Sequence, residues 1–258
     1  MITSILLFSI VICSNLIIGV LLGMSGISGF LLPLLYVGLL DMPVHDSLAL
    51  SFLSFAVSGI IGAFSYWKSK NMDIKLAILL SIGSLPGAFL GVQINVLISD
   101  FMAKLLLYLF VLLAGLSILL KKNNETNKIN RSILLNHSFI VILLGFITAI
   151  ICALTGAGGP ILLVPLLVSL GVHIRTAVGV SLLNSVIIAL PSIYGYFAHA
   201  SLKNTTMLII ASLLGTIIGI ITGTRLANKV PIHHLKMMIA IITILSSAYM
   251  LVMLTVGS

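Results

Sequence analysis

Two stretches of this chain could bind a charged solute without supplying any charge of their own. The first reads Gly23-Met24-Ser25-Gly26-Ile27-Ser28-Gly29-Phe30-Leu31-Leu32-Pro33, and the second Thr155-Gly156-Ala157-Gly158-Gly159-Pro160-Ile161-Leu162-Leu163-Val164-Pro165. A helix that starts after a glycine turn presents backbone N–H groups without intrahelical partners, and with them the positive end of its dipole. Two such ends converging would cradle an anion with no Arg or Lys. The candidate donors are the N–H groups around Gly26 to Phe30, including Gly29, and around Gly156 to Ile161, including Gly158 and Gly159. The hydroxyls of Ser25, Ser28 and Thr155 could supplement them. Glycines also serve close helix packing, but a seven-residue run with three glycines and two serines, Gly23 to Gly29, exceeds what packing requires.

A second polar cluster follows each stretch: Ser51, Ser54 and Ser58 in the first copy, Ser181, Asn184 and Ser185 in the second. Ser51 and Ser54 are three apart, as are Ser181 and Asn184, so each pair shares one helix face. A serine in an apolar helix can equally spend its hydroxyl on the carbonyl four residues back. Asn184 differs, because a carboxamide in hydrocarbon is expensive to leave unpaired. It either ties helices together or faces the solute.

Reaction chemistry is not indicated. There is no H-E-x-x-H, no G-x-S-x-G, no Walker A sequence and no paired carboxylates inside an apolar run, so neither an enzyme nor a cofactor is expected. The acids Asp41, Asp46, Asp73, Asp100 and Glu125 fall at the ends of apolar runs or in the central polar stretch, which argues against a buried proton relay. His45, His137, His173, His199, His233 and His234 lie near run ends too, as do Gln93 and Asn95, and interfacial places are expected for them; His45 beside Asp46 could sense pH at an outer vestibule. Cys13 and Cys152 have no metal-like spacing and read as small core residues.

The elements that must hold these residues follow from composition. Of 258 residues, 60% are hydrophobic and 7% charged, against roughly 25% charged in soluble domains. The chain is therefore an all-α polytopic membrane protein, and its net charge of +8 reflects loop topology, not nucleic-acid binding. Apolar runs cover 2–22, 30–40, 47–67, 74–98 and 105–120, and after a polar stretch 139–154, 160–170, 176–197, 205–226 and 235–256. A spanning helix needs about 20 residues, so 30–40 and 160–170 are half-helices, re-entrant or tilted. The start of the chain lacks a basic n-region and a cleavage site, and its apolar run has a second-half counterpart, so it is expected to be structural.

The halves match in order. Pro33 and Pro165 are 132 apart; Ser51 with Ser181 and Tyr66 with Tyr196 are 130 apart; Gly87 and Gly91 fall 128 before Gly215 and Gly219; Lys104 lies 132 before Lys236. Matching breaks in two halves point to a transporter of internal repeats. If each glycine hairpin returns the chain to its starting side, by re-entry or by two crossings, Lys68, Lys70, Lys75, Lys121, Lys122, Lys128, Arg131, Arg175, Arg225, Lys229 and Lys236 share the cytoplasmic side. Only Lys104 and Lys203 then lie outside. A single crossing through each break would divide the charges eight to five, which the positive-inside rule disfavours. The expected architecture is two inverted repeats, each a glycine-broken helix hairpin plus three transmembrane helices. They cover 1–122 (hairpin 2–40) and 133–258 (hairpin 139–170), joined by a cytoplasmic linker at 123–132, with both termini non-cytoplasmic.

The glycine run with its apolar turn and proline, followed by Thr176-Ala177-Val178-Gly179-Val180-Ser181-Leu182, resembles the TauE/SafE sulfite exporter family of membrane permeases. The first half repeats the pattern more loosely through Gly26, Gly29, Pro33 and Ser47-Leu48-Ala49-Leu50-Ser51-Phe52. The resemblance spans the whole chain. It implies a secondary transporter of sulfite, sulfonates or related small organic anions in a prokaryotic inner membrane; the mechanism expected of the repeats is alternating access, one rocking against the other around the paired glycine turns. The segments around Gly26 and Gly158 and the helix starts at Ser51 and Ser181 would line the path. In the first copy Met24, Ser25, Ile27 and Ser28 interrupt the glycine-richer family pattern, which would change the size and hydrogen bonding of the pocket. A passive anion channel with re-entrant helices is the alternative. The partners expected are the small anion and the lipid bilayer, with nucleic acid excluded and a homo-oligomer left open.

Overall fold

The computed structural model describes the backbone of residues 2–26, 28–120, 132–200, 205–226 and 232–256. Among these residues every regular element is helical, and eight helices are long and apolar enough to cross a membrane. Helix α1 spans Ile2–Ser25, α3 Val44–Lys68, α4 Ile74–Leu97 and α5 Asp100–Leu120; α6 spans Ser138–Thr155, α8 Ile174–His199, α9 Thr205–Leu226 and α10 Ile232–Val256. Two short apolar helices, α2 (Ser28–Leu39) and α7 (Gly159–Ser169), occupy the places where half-helices are expected. The expected linker at 123–132 lies, apart from Ser132, outside the described residues, as do Ile27, Lys203 and Lys229, and the side chains of His233, His234 and Lys236.

The breaks before α2 and α7 have a local cause. Helix α1 ends as Gly26 turns into the left-handed region at φ 71°, with its N–H still donating to Leu22 O at 2.7 Å. Helix α6 ends in the same way at Gly156, φ 69°. A side chain at either position would be strained.

Helices α3 and α8 form the buried centre and run antiparallel: Tyr66, near the end of α3, packs on Gly179 near the start of α8, and Phe52 stacks on Tyr196. Around them α1 packs on α9, α6 on α4, and α5 on α10. Helices α1 and α9 are parallel, since Gly215, Gly219 and Gly223 meet Ile12 O, Leu16 O and Val20 O in rising order. Helices α4 and α6 are parallel by the same device, Gly83, Gly87 and Gly91 meeting Ile142 O, Phe146 O and Ile150 O. A Cβ added at Gly91 or Gly219 would stand 2.5 Å from the opposing carbonyl oxygen. Small residues thus let backbones touch where no hydrophobic force drives helices together.

These contacts correct the register. Gly83, Gly87 and Gly91 oppose the same sequence of positions as Gly215, Gly219 and Gly223, an offset of 132; the offset of 128 slips one turn, and each ridge has three glycines rather than two. Large apolar side chains such as Ile78, Phe89, Leu214, Ile218, Ile242 and Leu245 point outward, as lipid-facing residues do.

Candidate functional site

The two glycine breaks meet. Gly29 from the first and Ala157, Gly158 and Pro160 from the second line one void of about 10 Å3, room for about one water. Leu22, Phe55, Ser58, Leu182 and Ser185 complete its wall. Gly158, at φ 73°, caps α7, and Pro160 occupies its first turn, where a missing N–H costs nothing. Helix α7 therefore begins at this wall. Cys152 donates its thiol to Gly158 O at 3.3 Å, which fixes the turn from behind.

Both breaks are pinned to the central pair, and each to the helix of the opposite half. Gly26 packs against Val178 of α8, and Gly156 against Leu48 of α3. These contacts exchange under an offset of 130, the spacing that relates Ser51 to Ser181.

The predicted polar residues separate into groups. Ser51 donates to Ser47 O and Ser181 to Ala177 O, both at 2.7 Å, so these hydroxyls serve their own helices. Ser25 and Thr155 likewise reach Leu21 O and Ile151 O at 2.7 Å. Ser28 is buried, with a long contact of 3.4 Å to Ile18 O, and Gly159 backs onto Ser185. Ser58 and Ser185 bring their helices' hydroxyls to the void, although Ser58 donates to Phe55 O at 3.3 Å and Ser185 to Leu182 O at 2.7 Å. Ser54 belongs to a network centred on Asn15. Its hydroxyl donates to Asn15 Oδ1 at 3.0 Å and lies 2.7 Å from Ser212 Oγ; Thr216 donates to the same Oδ1 at 3.1 Å, and Asn15 Nδ2 donates to Tyr36 Oη. Asn184 is fully buried, and neither its Oδ1 nor its Nδ2 has a partner.

Several residues fall elsewhere than expected. Asn95 is not interfacial: it is 1% exposed and donates to Leu154 O at 2.6 Å, with its Oδ1 unpaired. Asp46 is buried in the first turn of α3, which begins at Val44, not 47. Cys152 is a core residue but Cys13 is exposed. Asn15, Tyr36 and Phe55 were not singled out, and Tyr196 was marked only as the counterpart of Tyr66. A lone carboxamide within the apolar run 2–22 was the available signal for Asn15; apolar rings in apolar helices give none.

A wider cavity of about 410 Å3 opens where the α3–α4 turn meets the α7–α8 turn. Lys70, Asp73, His173 and Thr176 line it. Asp73 caps α4 by accepting from Leu76 N–H at 3.0 Å, and His173 Nδ1 accepts from Arg175 N–H at 3.3 Å. The cavity lies one half-helix from the void: Phe55 to Tyr66 is about 16 Å along α3. At the opposite end of the pair, His45 stacks on Tyr196 with centroids 6.1 Å apart and meets His199 edge-on at the same distance.

Comparison with known proteins decides the class. Residues 11–250 match the family described as Sulfite exporter TauE/SafE. The chain belongs to this family. It is 27% identical over 235 residues to the "Probable membrane transporter protein YdhB" of Bacillus subtilis (strain 168), covering 88% of this chain and 93% of the relative. It is 25% identical over 252 residues to the "Probable membrane transporter protein YjnA" of the same organism, covering 92% and 96%. No solved structure matches the chain significantly. This TauE/SafE member is thus a multi-pass membrane transporter, and family and relatives point to transport rather than catalysis.

Proposed function

We propose that this protein carries a small anion, of the sulfite or organosulfonate class, by alternating access around the void between its two glycine breaks. The observation that carries the proposal is the meeting of Gly29 and Gly158 on one buried space. Paired helix starts after left-handed glycines offer N–H donors and dipole ends to an oxyanion without a buried cation. A void of about 10 Å3, too small for any polyatomic anion, suits an occluded carrier better than an open pore.

Rocking requires halves that exchange roles, and inverted repeats supply them. The directions of α1 and α9, of α4 and α6, and of α3 and α8 support that arrangement, with each hairpin returning to its starting side. In this reading residues 1–122 and 133–258 are the two repeats. The end bearing Lys68, Lys70, Lys75, Arg175 and Arg225 is then cytoplasmic in a prokaryotic inner membrane, both termini are outside, and the wider cavity is the inner vestibule. Gly26, Gly29, Gly156, Gly158 and Gly159 form the cradle, with Ser25, Ser28 and Thr155 shaping its turns. Ser51, Ser54, Ser181 and Asn184 sit on the helices that flank the path.

The test is counterflow in proteoliposomes. Labelled sulfite or sulfoacetate should enter in a saturable manner, faster when the same anion is preloaded inside. Gly158→Leu, which forces a side chain into a left-handed position beside Phe55, should abolish this flux. Uptake that neither saturates nor responds to preloading would favour a channel, and full activity in Gly158→Leu would refute the cradle.

A further inference from the structure

One large side chain fills the junction where the two breaks meet. Phe55 lies at the middle of α3 and is 3% exposed. A Cβ built on Gly29 would stand 3.0 Å from its Cε1, and one built on Gly158 would stand 3.2 Å from its Cε2. The first glycine segment therefore touches one edge of the ring and the second touches the other. Among the residues lining the void Phe55 is the one aromatic.

The halves are unequal at this point. The register that pairs Leu48 with Val178 pairs Phe55 with Ser185, which lines the same void. One half thus presents a ring where the other presents a hydroxymethyl group. Behind the ring, Phe52 stands edge-on with centroids 5.5 Å apart, and Phe52 stacks on Tyr196 at 5.8 Å and 12°. The Tyr196 hydroxyl donates to Ala153 O at 2.7 Å, three residues before the break at Gly156. The aromatic column backs Phe55 on the His45 side and anchors to the helix whose end forms the second glycine turn. The second glycine segment thus touches the ring directly at Gly158 and is joined to it from behind through Ala153, Tyr196 and Phe52.

We propose that Phe55 is the movable plug of the anion path and that its bulk sets the largest anion accepted. This rests on the carrier function proposed above. In the described state the ring holds the void to the size of a single water. When the α6–α7 break shifts, the ring leaves the space between Gly29 and Gly158, and the anion takes its place. Ser58 and Ser185 are then the side-chain hydroxyls nearest to the opened space.

Two measurements test this, one of which needs no transport. In a Cys13→Ser background, with the protein lacking Ser185→Cys as the blank for the Cys152 thiol that bonds Gly158 O, the thiol introduced by Ser185→Cys should react slowly with the sulfonate-bearing reagent 2-sulfonatoethyl methanethiosulfonate. Adding Phe55→Ala should speed that reaction by about tenfold or more, the scale on which added room in an apolar pocket discriminates. In proteoliposomes Phe55→Ala should shift selectivity from sulfite toward bulkier sulfonates, such as benzenesulfonate, by about the same factor. Phe55→Leu should move both readouts in the same direction but less, and it serves alone if the alanine variant is not recovered folded. Labelling and size selectivity that stay at parental values in a monodisperse variant would overturn the plug, as would fast labelling with Phe55 intact. If the parent protein carries no anion yet labelling accelerates as stated, the carrier proposal and the size filter both fail, and only the occlusion of the void by the ring stands.

Discussion

Asn184 and Asn15 are both buried carboxamides, and they should respond to substitution in opposite ways. Asn15 is fully employed, so Asn15→Leu would strand the Thr216 hydroxyl and untie α1 from Ser54 and Ser212, which keep each other at 2.7 Å. A stranded group costs about 1–3 kcal/mol, and the melting temperature in detergent should fall. Asn184 has nothing to strand. Asn184→Leu should therefore keep or raise the melting temperature while lowering anion flux about fivefold, the worth of one hydrogen bond. Unchanged flux with a lower melting temperature would show instead that Asn184 ties helices together. Residue type alone marked Asn184, because its cost in hydrocarbon does not depend on neighbours. It could not mark which serines are spent on their own helix, since Ser51 and Ser54 look alike until their partners are placed.

At the scale of elements, the glycine ridges of α4 and α9 are the joints on which the hairpins sit. Gly87 and Gly219 oppose Phe146 O and Leu16 O at equivalent places. Backbone carbonyls cannot step aside, so Gly87→Ala and Gly219→Ala should each lower stability by about 1–3 kcal/mol. Ile218→Leu, on an exposed face of the same helix, should be neutral. Thermal unfolding followed by size-exclusion chromatography measures all three, and a neutral result at either glycine would break the equivalence. Helix number, the two short helices and most boundaries were legible from run length and glycine–proline punctuation. The register of the ridges was not: spacing within one half offers two glycine pairs, and only the facing carbonyls select between them.

At the scale of the molecule, charge divides the two ends of the α3/α8 pair. Lys70 and Asp73 line the wide cavity, with Lys68, Lys75 and Arg175 beside it in sequence so that basic groups outnumber acidic ones there, while Asp41, Asp46, His45 and His199 stand at the other end. A basic mouth concentrates anions in a salt-dependent way. Lys70→Gln with Arg175→Gln should therefore raise the KM for anion presented at that end about threefold with little change in kcat, and added salt should do the same to the parent protein. Flux from sided proteoliposomes at two ionic strengths measures this; an unchanged KM would remove the vestibule from the path.

By itself the amino-acid sequence determined that this chain lives in a bilayer, that it is helical, that it breaks twice at matched glycines, and that its resemblance lies with the TauE/SafE permeases. The first three follow from local physics: apolar length, missing charge, and the backbone freedom of glycine. Only the tertiary structure decided that the breaks face each other, that Asn15 is satisfied and Asn184 is not, and that an aromatic ring separates the two turns. Those outcomes depend on contacts between residues over a hundred positions apart, where burial and partner geometry, rather than residue type, determine the energy.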